Sequence, residues 1–146
     1  MVFVAAEVFG ILMRWAHILS AVLLIGGIVY ARMVAAPVLG EVQEEQPDLL
    51  RRLGVRFRPL VYASIVGLIV SGLYNYLMHL GHTRTYEMWF GIKVLLALHV
   101  FAGSILTVHA ARAGGGGDAK LLRRMTGVIL SGLAVTLIAA YLRRIY

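Results

Sequence analysis

Four stretches of this chain contain no Asp, Glu, Lys or Arg: residues 15–31, 59–83, 94–111 and 125–142. With the first extended outward past Arg14 and the third backward past Lys93, each can supply an apolar helix of about 20 residues, the length that crosses a bilayer. The runs lack the apolar–polar alternation of barrel strands, and unsatisfied backbone groups are too costly in hydrocarbon for other spanning structures. The expected fold is therefore all-α: an integral membrane four-helix bundle forming one domain over residues 1–146. Its spans are expected at about residues 8–36, 59–80, 87–111 and 122–143.

Composition supports lipid as the solvent. The chain is 60% hydrophobic and 14% charged, more apolar and much less charged than a soluble domain. Absence of cysteine removes disulfides, thiolate zinc sites, iron–sulfur clusters and cysteine nucleophiles together. Of the 14 basic residues, only Lys93 and Lys120 are lysine. Most fall at the ends of apolar runs, which reads as a topology signal and as contact with headgroups, not as a nucleic-acid footprint.

With four spans, both termini share one side. The loops after spans one and three carry Arg32, Arg51, Arg52, Arg56, Arg58, Arg112, Lys120, Arg123 and Arg124, while the other side has Arg14, Arg84, Lys93, Arg143 and Arg144. The excess places loops one and three in the cytoplasm of a bacterial inner membrane, with the termini outside. The N-terminus contains Glu7, lacks a basic leader and runs directly into a full-length span, so it is expected to remain as the first helix. Residues 41–58 form either a solvated linker or a short interfacial helix with Pro47 in its first turn. Gly114 to Gly117 form a hinge between the last two spans.

Ionisable residues within spans usually face a bundle interior or cavity. His17 and His99 are the deepest histidines, at similar expected depths. Two imidazoles from different helices are what bis-histidine ligation of a b-type haem requires. Small residues at helical spacing, including Ser20, Gly67, Ser71, Gly72, Gly103, Gly127, Ser131 and Gly132, would leave a slot for a planar cofactor. The same residues would equally let helices pack closely.

His79 and His82 lie near Met78 and Met88 toward the outside. Imidazole with thioether suits cuprous copper, so these four form a possible copper site; interfacial histidines bonded to headgroups are the simpler alternative. His79 is also a substitute axial ligand for haem iron. His109, near the cytoplasmic end of the third span, could serve a second haem but reads more simply as a lone interfacial histidine. Arg14, Arg84 and Lys93 share the outer side and suit the propionates of a haem. Lys93 lies within its span and could instead ligate iron as a neutral amine or bind an acidic substrate.

Trp15-Ala16-His17-Ile18-Leu19, Gly26-Gly27 and Tyr30-Ala31-Arg32-Met33 resemble the first helix of HemJ-type protoporphyrinogen oxidases and of related CopD-like membrane domains. Arg51-Arg52-Leu53 and Trp89-Phe90-Gly91-Ile92-Lys93-Val94, followed by His99, extend the resemblance over roughly residues 14–111. It implies a small haem-binding bundle in which His17 and Lys93 are functional. HemJ-type proteins usually carry an Arg-rich segment ending in Asn-Glu before the last helix; here the glycine run and Leu121-Leu122-Arg123-Arg124-Met125 stand instead.

Three functions are therefore expected in order. The first is a membrane b-type haem protein that moves electrons, with His17 and His99 on the iron and a redox protein or quinone as partner. The second is a porphyrinogen oxidase using Lys93 and Arg14. The third is a CopD-like copper-binding or transport protein using Met78, His79, His82 and Met88. A homo-oligomer is compatible with each, and no serine or carboxylate constellation points to hydrolysis.

Overall fold

The computed structural model of the chain describes residues 2–42, 48–78, 83–112 and 119–145. These form α1 (Val2–Tyr30), a π turn (Ala31–Ala35), α2 (Ala36–Val42), α3 (Leu49–Leu77), α4 (Arg84–Arg112) and α5 (Ala119–Ile145). No strand occurs among the described residues. Among the described residues, four helical spans are long and apolar enough to cross a membrane: Ala5–Val42, Arg51–Leu77, Arg84–Ala111 and Ala119–Arg144. The expected all-α membrane bundle is the observed fold.

The first span continues beyond the expected end at residue 36. Pro37 has no backbone N–H, and its ring would strike the carbonyl four residues back, that of Met33, in a regular helix. The chain widens into the π turn just ahead of it, where the Ala36 N–H donates to the Ala31 carbonyl five residues earlier. Helical direction is thereby kept through Pro37, and α2 follows without a break.

A second difference lies at residues 49–58. They are neither linker nor separate interfacial helix, but the first turns of α3, which runs through Pro59 to Leu77. Pro59 removes one hydrogen bond without ending the helix. Pro47 and the Gly114–Gly117 hinge lie outside the described residues.

Contacts run between α1 and α3, α3 and α4, α4 and α5, and α5 and α1. Thus α1 and α4 occupy one diagonal of the bundle, and α3 and α5 the other. Leu24, Ile28, Val61, Ile65, Val100, Val108, Leu121, Met125 and Val128 fill the centre. Lipid chains are as apolar as these residues, so close packing supplies much of the cohesion. Glycines make that approach possible: a Cβ on Gly67 would meet Ser20, and one on Gly103 would meet Val128. Large apolar side chains cover the outside, with Ile18 62% and Leu137 74% exposed, as a lipid-facing surface requires.

Aromatic rings gather at the end where α1 begins and α5 finishes. Phe9 meets Tyr74 edge-on at 5.1 Å, Tyr76 stacks on Phe90 at 4.4 Å, and Trp89 meets Tyr141 at 5.4 Å. Such rings suit a membrane–water boundary, where an apolar body can carry a polar edge.

Candidate functional site

His17 faces α3 from the middle of α1. Its Nδ1 lies 3.0 Å from Ser71 Oγ, and a Cβ on the adjacent Gly72 would stand 3.2 Å from the ring Cε1. Glycine at 72 therefore lets the imidazole lie against the α3 backbone. The Ser71 hydroxyl donates in turn to the Gly67 carbonyl one turn earlier.

This chain of contacts fixes a proton. Ser71 has one hydroxyl hydrogen, already directed at Gly67, so its oxygen must accept from His17 Nδ1–H. In the neutral ring Nε2 then carries the lone pair. A ligating histidine typically holds its second nitrogen in this way, because the outer hydrogen bond fixes both tautomer and ring orientation.

Lys93, half-buried on α4, lies within Coulombic reach of His17. Arg14 is exposed one helical turn before His17. Arg84 is exposed at the start of α4, at the same end of the bundle as the aromatic rings. Three cationic side chains expected to serve an acidic cofactor or substrate thus sit toward one end, with Lys93 the one associated with His17.

His99 has a different setting. It is exposed, and its Nε2 would lie 3.8 Å from a Cβ on Gly127 of α5. The pairing of Tyr62 with His109 and of Tyr76 with Phe90 sets the register between α3 and α4. That register brings His99 to within about a turn of the depth of Ser71, and so of His17. The similar depth expected for the two histidines is present, but one ring lies on the α1–α3 seam and the other beside α5.

The small residues also separate into kinds. Gly27 is met by Phe57, Gly67 by Ser20, Gly103 by Val128 and Gly132 by Ile25, the last at 3.1 Å. These positions serve close packing instead of leaving a slot. Gly72 and Gly127 differ, since each has a histidine ring beside it.

The donor chemistry at His17, an oriented imidazole with the lone pair on Nε2 and Lys93 within Coulombic reach, suits a haem iron. Met78 and Met88 are exposed near the ends of α3 and α4. His79 and His82, needed for the possible copper site, lie outside the described residues, and among those described no group of three or more His, Cys, Asp or Glu could hold a metal.

Sequence reasoning noted Ser71 only as a small residue and left Lys93 without a partner. Antiparallel pairing of the first two spans would have put Ser71 at the depth of His17, because each lies nine residues from the outer end of its expected span, 8–36 or 59–80. Compared with protein-family models, curated proteins and solved structures, the chain matches none.

Proposed function

We propose that this chain is an integral membrane b-type haem protein with a redox or electron-transfer role, holding iron through Nε2 of His17. The observation that carries this reading is the His17–Ser71–Gly67 relay, which keeps the proton on Nδ1 and the lone pair on Nε2. Bound haem would supply a one-electron iron couple within the bilayer.

The protein residues have distinct tasks. Ser71 orients the ring, Gly72 gives it room, and Lys93 and Arg14 supply positive charge for propionates. His99, at similar depth on the helix diagonal to α1, is the candidate for a second residue holding the haem. A quinone or redox protein would exchange the electron. The basic excess around loops one and three orients them toward the cytoplasm of a bacterial inner membrane.

The test is haem titration of the purified protein followed by absorbance. Wild type should give a low-spin spectrum, and His17→Ala should lose it; a His17→Ala protein with the wild-type spectrum would overturn the assignment. His99→Ala separates the second ligand, with loss of the low-spin bands expected if it completes the coordination.

One observation favours a second reading. Lys93, half-buried within Coulombic reach of His17, would suit an acidic tetrapyrrole substrate as well as haem propionates, in keeping with a HemJ-like protoporphyrinogen IX oxidase. Restoration of haem synthesis in cells lacking their own porphyrinogen oxidase tests it. Failure by a well-expressed protein would count against it.

A further inference from the structure

At the end of the bundle opposite the aromatic rings, three side chains form a rack across α3 and α4. Tyr62 Oη and His109 Nε2 lie 3.2 Å apart, and the Arg58 guanidinium carbon sits over the Tyr62 ring, 5.4 Å from its centroid. Arg58 and Tyr62 are half-buried, whereas His109 is exposed. The cation–π contact holds the guanidinium near the tyrosine–histidine pair.

That pair always retains a hydrogen-bond donor. If Tyr62 donates to His109 Nε2, the neutral imidazole keeps its proton on Nδ1. If the ring donates from Nε2, the tyrosine O–H is free. Together with the arginine N–H groups, the rack presents donors and positive charge with no carboxylate paired to it among the described residues.

The surrounding charge is unbalanced in the same sense. Arg51 pairs with Asp48 at 3.2 Å, whereas Arg52, Arg56, Arg58, Lys120 and Arg123 have no carboxylate partner among the described residues. At the end of a membrane-spanning bundle, the complementary surface is the headgroup layer of anionic phospholipid.

We propose that Arg58, Tyr62 and His109 bind the phosphate of an anionic phospholipid headgroup in the α3–α4 seam. The arginine supplies charge and paired N–H donors, and the tyrosine–histidine pair supplies a further donor. The exposed leucine stripe of α4, which includes Leu98 and Leu106, gives the lipid's acyl chains an apolar path.

Native mass spectrometry of the full-length protein from detergent tests this site with phosphatidylglycerol and phosphatidylcholine as probes. Wild type should bind phosphatidylglycerol more tightly. Arg58→Gln and His109→Gln should each weaken it by about fivefold, while Arg143→Gln at the other end leaves it unchanged. Arg58→Lys, which keeps the charge, should fall between, and circular dichroism should show intact helices in every variant. Equal binding of the two lipids by wild type, or wild-type affinity in both Arg58→Gln and His109→Gln, would overturn the proposal. Displacement of the lipid by millimolar inorganic phosphate would instead identify a free-anion site and also overturn it.

Discussion

His17 Nδ1 and Ser71 Oγ stand 3.0 Å apart across α1 and α3, with the serine proton committed to the Gly67 carbonyl. Removing that hydroxyl should free the imidazole to change tautomer and rotate. Ser71→Ala is therefore expected to weaken haem binding by roughly 10–100-fold, the usual effect of losing an outer-shell partner. Ser71→Thr, which keeps a hydroxyl, should restore most of it. Haem titration by absorbance makes the comparison, and equal affinity in wild type and Ser71→Ala would show that the relay does not prepare a ligand.

Much of the fold was legible because lipid imposes a simple requirement: an apolar run long enough to cross must close its backbone hydrogen bonds as a helix. The exceptions arose where local and longer-range effects compete. Pro37 and Pro59 look like helix boundaries by their missing N–H groups, yet both lie inside helical spans. The π turn accommodates the first, and α3 continues through the second. The depth of His17 and His99 was also legible from their positions in the runs. Their facing was not, since it depends on how each helix is rotated, and rotation is set by contacts such as Ser20 on Gly67 and Val128 against Gly103. Tyr62 and His109 meet through the same register and could not be paired from sequence spacing alone.

Gly103 is predicted to be intolerant of larger residues because its missing side chain is replaced by Val128 from α5. Gly103→Val should destabilise the bundle by about 1–3 kcal/mol through overpacking. Unfolding in mixed micelles measures this. Gly91, with nothing within 4 Å of its Cβ position, is the control that should accept alanine.

Ser64 and Ser104 are predicted to behave in the opposite way. Their hydroxyls are buried and have no hydrogen-bond partner among the described residues, whereas buried Thr107 donates to the Gly103 carbonyl at 2.7 Å. Ser104→Ala should leave stability unchanged or raise it by up to about 1 kcal/mol, because an unsatisfied buried hydroxyl is costly. The same unfolding assay checks this, and a loss above that size would reveal a partner for the hydroxyl.

The proposed orientation can be mapped because the chain has no native cysteine. Single cysteines at Asp118 and Thr83 should react from opposite sides of the membrane, Asp118→Cys from the cytoplasm and Thr83→Cys from outside. Impermeant maleimide applied to intact cells and to broken cells distinguishes them. The reverse pattern would invert the topology.

The haem assignment faces its most direct test in the absorption spectrum of the wild-type protein purified from cells supplied with haem. A red protein with a sharp Soret band that shifts on dithionite reduction is predicted. A colourless protein, folded and helical after expression with ample haem, would contradict it.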